Sequence, residues 1–563
     1  MPYRKKPNAL RRWLKAIGPT WASSPARRLI QSVCFILFLL LFFYVCWPYG
    51  LHNYALHLAA KEKIPAESFL AIDPLVSLST AIAARTWVFS LAWAAAIIAI
   101  CVLFPRGFCG YICPLGSLID LFDWTISHRF TRFRPTRDGW WVHLKYYLLA
   151  AILISSFLGV LLSGFVAAIP VITRGLQFTL APVQMGAAKG WYLNPPMNAG
   201  HWCSIVLLLG VLLLGFLRPR FWCRYVCPTG AVFSISNLLR ATERKVESSC
   251  INCDKCVRIC PFDAIKPTDY TTGTADCTLC QTCAGVCPTH SIKFVSRWES
   301  VDLKLPSNAP PVVPFSRRNL LAGTLGGGAL ALGIRFTSRS DLIVRPPGSV
   351  PEDDFLRLCI RCGECFKACP NNVLQPVGFE KNLNNLWTPQ VVANWSGCEP
   401  SCNNCGQICP TAAIRPLPIE EKRVVRIALA VVNEQTCLPH VQREACQMCV
   451  DECNAAGYNA IEFRRVGVRL DENGEAIETS GFLAPVVLSD KCVGCGLCQT
   501  RCHIINVKQK HLLQRTAIEI FAGDGKEDRL RSGSYIALRQ RERSQIKPPQ
   551  TQSGNGYLPD FLK

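Results

Sequence analysis

Four apolar runs divide an otherwise polar chain: Leu29–Pro48, Thr86–Phe104, Leu144–Ile169 and His201–Leu217. Their lengths suit helices crossing a hydrocarbon layer about 30 Å thick, so the pattern predicts four membrane spans over residues 29–245. A milder, Gly-rich run from Ser316 to Ile334 predicts one more helix and a candidate fifth span. Pro-rich spacers flank it at 303–315 and 345–351, a composition that makes linkers. Beyond them the apolar positions shorten to stretches such as VVRIAL at 424–429 and APVVLS at 484–489, which predict the short strands of small βαβ units. From about Arg541 the chain is polar and rich in Pro, Gln and Ser, which predicts disorder.

Charge orients this picture. Half of the 563 residues are hydrophobic, 50%, and the net charge is +22; the mean hydropathy of +0.20 is high for a water-soluble chain. Residues 1–28 carry Arg4, Lys5, Lys6, Arg11, Arg12, Lys15, Arg27 and Arg28. The loop after the second run holds Arg106, Arg129, Arg132, Arg134, Arg137 and Lys145, and Arg218, Arg220, Arg224, Arg240, Arg244 and Lys245 follow the fourth. The loop after the first run has few positive charges, and that after the third has only Arg174 and Lys189. The positive-inside rule then places both ends of the four-span region in the cytoplasm. Basic residues concentrated beside apolar runs speak for membrane topology, and no helix-turn-helix, RRM or zinc-finger pattern suggests nucleic acid.

The 32 cysteines carry the chemistry. Cys250, Cys253, Cys256 and Cys260, followed by Pro261, read C-x-x-C-x-x-C-x-x-x-C-P, and Cys277, Cys280, Cys283, Cys287 and Pro288 repeat it. This is the bacterial spacing for two 4Fe–4S clusters, in which three close thiolates bind one cluster and the fourth reaches the other. Cys250, Cys253 and Cys256 therefore go with Cys287, and Cys277, Cys280 and Cys283 with Cys260. A zinc site has no use for the third close cysteine. Four further groups follow: Cys359/Cys362/Cys365/Cys369, Cys398/Cys402/Cys405/Cys409, Cys437/Cys446/Cys449/Cys453 and Cys492/Cys495/Cys498/Cys502. They predict four more clusters, six in all. The first and fourth of these groups are regular; the second and third carry insertions. Matching regular with regular favours a nested pairing, first with fourth and second with third, with sequential pairing as the alternative.

A repeat joins the apolar region to this chemistry. FPRGFCGYICPLGS aligns with RPRFWCRYVCPTGA, so Cys109 and Cys113 match Cys223 and Cys227. Cysteines four apart share one side of a helix, and the two pairs supply thiolates for one further cluster or metal; a redox-inert helix-end motif is the alternative. Cys34, Cys46, Cys101 and Cys203 lie in or beside apolar runs as small packing side chains. His52, His143 and His201 fall near span ends and His57 in the first loop, so no span offers two facing histidines for haem. No nucleophile–base constellation, P-loop or dinucleotide fingerprint occurs. Arg317 and Arg318 before the Gly-rich run resemble a twin-arginine export signal, placed internally. Iron–sulfur domains assemble in the cytoplasm and would have to cross the membrane folded. Ala329-Leu330-Ala331 is a candidate cleavage site, and retention as an anchor is the alternative.

Taken together, the chain divides into a basic N-terminus (1–28), an α-helical membrane domain (29–245), a two-cluster ferredoxin domain (246–300), a linker with the signal-like run (301–351), a four-cluster ferredoxin domain (352–515) and a polar tail (516–563). The ferredoxin domains are expected to be α+β. Residues from about 30 to 295 resemble the NapH and MauN types of membrane ferredoxin protein, and share features with NosR proteins. The carrying features are the four runs, the paired C-x-x-x-C-P motifs and the two ferredoxin groups. Residues from about 315 to 515 resemble the NapG and MauM type of polyferredoxin, through the SRR-led run, LCIRCGECFKACP and the three groups after it. The resemblance implies a natural fusion acting as a quinol dehydrogenase component in the bacterial inner membrane. Its first ferredoxin domain would be cytoplasmic and its second periplasmic. It would take electrons from quinol and deliver them to a periplasmic cytochrome or reductase. Maturation or reactivation of a periplasmic metalloenzyme is the alternative role.

Overall fold

The computed structural model describes residues 14, 19–46, 68–127, 130, 140–267, 269–273, 275–303, 316–337, 342–469 and 480–545. Most of the basic N-terminus lies outside these residues, as do His52, His57, Arg129, Arg132, Arg134, Arg137, nearly all of the 303–315 spacer and the tail beyond 545. Among the described residues, nine helices of nine or more residues organise the first part of the chain. They are α1 (Pro25–Cys46), α2 (Pro74–Ala84), α3 (Ser90–Leu103), α4 (Pro114–Thr125), α5 (Leu144–Phe157), α6 (Ala168–Lys189), α7 (Ala199–Leu213), α8 (Pro228–Ser236) and α9 (Arg317–Thr337). Among the described residues, two helical segments, Pro25–Val45 and Ala199–Phe216, are long and apolar enough to cross a membrane by length and composition, and α2, α3 and Trp141–Phe157 are apolar but shorter. On α1, Phe38, Phe42 and Val45 are buried while Leu29, Val33, Ile36, Leu37 and Leu40 face outward. The core beneath it contains Leu75, Leu115, Leu161, Ile169, Ile172 and Phe233.

The third apolar run is not one helix. α5 stops at Phe157, Gly159 turns with φ +81°, and the chain restarts as α6. Apolarity did not mark α6, because Arg174 and two prolines interrupt it. Pro170 falls in its first turn, where a missing N–H is harmless. The Gly-rich run forms α9 and packs along α5. A Cβ on Gly327 would lie 2.6 Å from Ala151 Cα, and one on Gly323 3.1 Å from the Tyr147 carbonyl oxygen. Ala331 is fully buried on the same stripe, and Ser155 Oγ donates to the Gly327 carbonyl at 3.3 Å. Small residues four apart allow this close backbone approach.

The cysteine-rich units are built from two-stranded antiparallel ladders, in place of the expected βαβ units. In the first, β1 (Thr242–Val246) pairs with β2 (Ile292–Ser296) and brackets both cysteine groups; the unit begins at Thr242, slightly before the expected boundary. In the second, β3 (Leu374–Pro376) pairs with β4 (Pro389–Val391), β5 (Leu429–Val432) with β8 (Ile518–Phe521), and β6 (Ile461–Val466) with β7 (Phe482–Val487). The strand expected at 424–429 lies later in the chain, because Ile427 and Ala428 bury consecutive side chains and the ladder to β8 starts only at Leu429. The second unit also runs past 515. β8 and helix α10 (Tyr535–Gln545) belong to it, with Tyr535 fully buried and Arg539 Nε donating to the Val424 carbonyl at 3.2 Å. Tyr535 and Leu538 pack on the core of that unit, and from Arg539 onward the helix is polar, so composition alone reads as tail.

The two units sit at opposite ends of the same helices. At the start of α1, Ser24 Oγ hydrogen-bonds Thr282 Oγ1 at 2.8 Å, and near its other end Lys367 Nζ lies 4.3 Å from the centre of the Phe42 ring. α5 begins with Lys145 on Asp276 at 3.0 Å, and Arg361 donates to the Leu161 carbonyl just past its end at 2.8 Å. α7 begins with the Gly200 carbonyl accepting from Trp387 Nε1 at 2.7 Å, and just past the segment it opens Arg218 pairs with Asp263 at 2.7 Å. Ala199–Phe216 has 18 residues, a length of about 27 Å.

Candidate metal centres

In the four regular groups the cysteine loops share one backbone device. The residues two and four positions after the first cysteine have positive φ: Asn252 and Asp254, Leu279 and Gln281, Arg361 and Gly363, Gly494 and Gly496. Two left-handed residues wrap each loop, so that three cysteines face a common point. The fourth cysteine of a group leaves along a short helix, such as Lys255–Ile259 or Glu364–Ala368, towards the neighbouring loop.

The thiols are thereby sorted into fours. Cys283 interacts electrostatically with Cys280, Cys277 and Cys260, the set expected from spacing. Cys256, Cys260, Cys283 and Cys287 share the small core of that unit. In the second unit, Cys359, Cys362, Cys365 and Cys409 line one cavity, and Cys437, Cys446, Cys449 and Cys502 another. Cys405 faces Cys398, Cys402 and Cys369, and Cys498 faces Cys492, Cys495 and Cys453. The pairing is therefore sequential, first group with second and third with fourth, and the nested pairing favoured on regularity is wrong. An insertion within a loop changes its contour, but the short helix after it still delivers the fourth cysteine to the next loop along. Neighbouring sets touch: the Cys398 N–H donates to the Cys495 carbonyl at 2.8 Å, Cys365 senses Cys405 and Cys498 senses Cys449.

The C-x-x-x-C-P repeat also closes on itself. Cys109 and Cys223 lie in π-helical turns, Phe108–Ile112 and Trp222–Val226, and Cys113 and Cys227 are the N-caps of α4 and α8, whose first residues are the prolines. The widened turn replaces the regular helix expected, and proline begins the next helix where its lost N–H is free of cost. Arg106 and Arg220 each adopt positive φ and reach across. Arg106 Nη2 donates to the Cys223 carbonyl at 3.2 Å, and Arg220 Nη1 donates to the Cys109 carbonyl at 2.8 Å. Phe108 and Phe233 stack at 5.0 Å between the copies. Cys113 faces Cys109, Cys223 and Cys227. Tyr111, between the two cysteines of the first copy, donates to the Leu279 carbonyl at 3.2 Å, which places this set beside the Cys277–Cys280 loop.

Buried thiols suit an iron cluster. Burial pushes Cys277 and Cys283 up to about 12, so these side chains are ordinarily protonated and ligation must displace the protons. Among the described residues, no three His, Cys, Asp or Glu side chains close to the spacing of a single bound ion. A lone zinc, with Zn–S bonds of about 2.3 Å, would need that spacing, whereas a cubane spreads its four corners wider. Of the remaining cysteines, Cys101 is buried and Cys34 and Cys203 are half-buried. His201 is a capping residue: its ring nitrogen accepts from the Asn198 N–H at 3.1 Å. His143 lies against the Tyr146 ring at 6.1 Å.

The sequence marked Arg106, Arg220 and Arg174 only as loop charges, and none of them as part of a site. The Arg174 side chain is fully buried, stacks 3.7 Å from the centre of the Trp387 ring, and donates to the carbonyls of Gly164 at 3.0 Å and Arg361 at 2.7 Å. It fixes the helices to the loop that carries Cys359 and Cys362. Its signal was a lone arginine in an amphipathic stretch.

Two family models match the chain, both described as 4Fe-4S binding domains. One covers residues 86–133 and 201–246, the two C-x-x-x-C-P repeats, and the other 244–266 and 356–375. Among known proteins, the chain is 35% identical over 206 residues to the methylamine utilization ferredoxin-type protein MauM of Methylorubrum extorquens, spanning 34% of this chain and 87% of that one. It is 34% identical over 186 residues to the ferredoxin-type protein NapG of Escherichia coli, 32% of this chain and 76% of that one. To NapG of Haemophilus influenzae it is 26% identical over 259 residues, 42% of this chain and 84% of that one. No solved structure matches.

Proposed function

Because the chain belongs to the MauM/NapG family of ferredoxin-type proteins and is an iron–sulfur electron-transfer protein, we propose that it carries electrons from membrane quinol to an acceptor on the far side of the bilayer. Two iron–sulfur units at opposite ends of α1, α5 and α7 carry this reading. The separation, about 27 Å along α7, approaches the hydrocarbon thickness of about 30 Å. We read the helical part as the NapH/MauN-type half of a fusion, lying in the bacterial inner membrane. Its spans fall near the four apolar runs, with α9 as a fifth that returns the chain to the other face. The basic residues then keep the Cys250–Cys287 unit cytoplasmic and put the Cys359–Cys502 unit in the periplasm.

The six ferredoxin groups would hold six 4Fe–4S clusters, and Cys109, Cys113, Cys223 and Cys227 a seventh. Each cluster supplies a one-electron step. Tyr111 couples the membrane set, Cys109, Cys113, Cys223 and Cys227, to the Cys277–Cys283 set at one end of the helices, and Arg174 seats the Cys359 set at the other; quinol diffusing between the two faces, or a haem partner, would couple them. From there the sets run Cys359, Cys398, Cys492 and Cys437 in contact order. The Cys437 set is the exit towards a periplasmic cytochrome or reductase. The test is EPR of holoprotein in vesicles mixed anaerobically with a short-chain quinol. Appearance of reduced-cluster signals is expected; their absence, with dithionite still able to reduce the clusters, would sink the quinol reading.

A further inference from the structure

We infer that the quinol headgroup binds in a cleft between α1 and α4, at the end of the helices that carries the Cys250–Cys287 unit. This inference rests on the quinol reading above. The cleft holds about 150 Å³. Its flat walls are Trp21, Phe35 and Trp124, and its polar wall is Arg28, Gln31 and Ser117. Such a mixture of ring faces and a few convergent polar groups is what a small aromatic diol or dione requires. Leu29, Val33, Ile36 and Leu37 on α1 beside it are exposed, so an isoprenoid tail would lie along the apolar outer face of that helix.

The cleft sits between two cysteine sets. Ser117 Oγ donates to the Cys113 carbonyl at 3.3 Å, one turn from the membrane set. On the other side, Ser24 Oγ meets Thr282 Oγ1 at 2.8 Å, and Thr282 precedes Cys283. Its charge is arranged for a headgroup that loses protons. Asp120 is paired with Arg27 at 2.8 Å, Arg28 at 3.0 Å and Arg220 at 2.6 Å, leaving a local surplus of positive charge. Gln31 Nε2 donates to Asp120 at 3.0 Å, and Arg28 Nη1 donates to Gln31 Oε1 at 3.1 Å, so the polar wall is fixed before a ligand arrives. Oxidation of one quinol to quinone releases two electrons, and two oxidised 4Fe–4S clusters held by the neighbouring cysteine sets would take one each. It also releases two protons, which leave to water.

Ser32 and Leu121 also line the cleft and neither is a cysteine ligand, so each can be enlarged to fill it. The experiment measures equilibrium binding of decylubiquinone to full-length holoprotein in lipid nanodiscs, and the rate at which decylubiquinol bleaches the clusters. Wild type, Ser32→Trp and Leu121→Trp are compared, with dithionite-reducible iron as the check on folding. The site predicts at least a tenfold loss of quinone affinity in both variants at unchanged dithionite-reducible iron. Equal affinity in variants and wild type, or no binding to wild type, would overturn the site. Binding that the variants abolish, without any bleaching by quinol in wild type, would keep the site and overturn the quinol-oxidation reading instead.

Discussion

At the scale of single residues, the cysteines of the C-x-x-x-C-P repeats and one half-buried carboxylate, Asp276, carry testable consequences. If Cys109, Cys113, Cys223 and Cys227 hold one cluster, Cys113→Ser or Cys227→Ser lowers iron by about four atoms per chain, the content of one cubane, and leaves the rest of the iron in place. Iron and acid-labile sulfide assays of purified protein check this, and unchanged iron would return the motif to a helix-end role. Asp276 is different. Burial alone would raise its carboxyl, but Lys145, Arg224 and Arg106 outweigh this and hold it down at about 2. A depressed carboxylate stabilises the fold above its unfolded value near 4 and loses that contribution as pH falls towards 2. At pH 7 the contribution is complete, worth about 2 kcal/mol. Asp276→Asn should therefore lower the melting temperature at pH 7, with the difference from wild type shrinking as pH approaches 3. The set of Cys277, Cys280, Cys283 and Cys260 was legible in spacing, whereas the fours of the second unit were not. The reciprocal arginines were not, because their role depends on two copies meeting in space: Arg106 caps the turn of Cys223 and Arg220 that of Cys109.

At the scale of elements, what the sequence showed and hid divides along physical lines. Long uninterrupted apolarity marked α1 and α7 correctly. It failed between Leu144 and Lys189, where Gly159 turns the chain and Arg174 hides an amphipathic helix. The pairing of cysteine groups failed because regularity within a loop says nothing of which loop its trailing helix meets. The signal-like run was legible as a helix, but its partner was not, since a glycine stripe shows only that something packs closely. α9 has that partner in α5, so a cut at Ala329-Leu330-Ala331 would break a packed element. Intact mass spectrometry of protein from membranes should find the chain uncleaved there. Gly327→Val would drive a side chain into Ala151, and overpacking of this kind costs about 1–3 kcal/mol. The expected result is a lower thermal midpoint in detergent, whereas Gly326→Ala, where a Cβ meets nothing within 4 Å, should leave it unchanged.

At the scale of the whole molecule, the two cysteine-rich units sit at opposite ends of the same helices, and whether a bilayer separates them can be tested without knowing the natural acceptor. The helices fix the geometry: the start of α7 is held by Trp387 of the second unit, and Arg218, beyond its last turn, is held by Asp263 of the first. If these ends lie on opposite sides of a bilayer, a membrane-impermeant thiol reagent should label Asn372→Cys from the periplasmic side only and Asp302→Cys from the cytoplasmic side only. Neither position is a cluster ligand, so the iron content of each variant should match wild type and report intact folding. Labelling of both positions from one side would mean that both units share a face. Electrons would then have no membrane to cross, and α1, α5 and α7 would serve as a scaffold between two ferredoxin units in the same compartment. Labelling from opposite sides would put the Cys359–Cys502 sets across the bilayer from the Cys250–Cys287 sets, with Cys359 seated at the helices and Cys437 farthest along the chain of contacts.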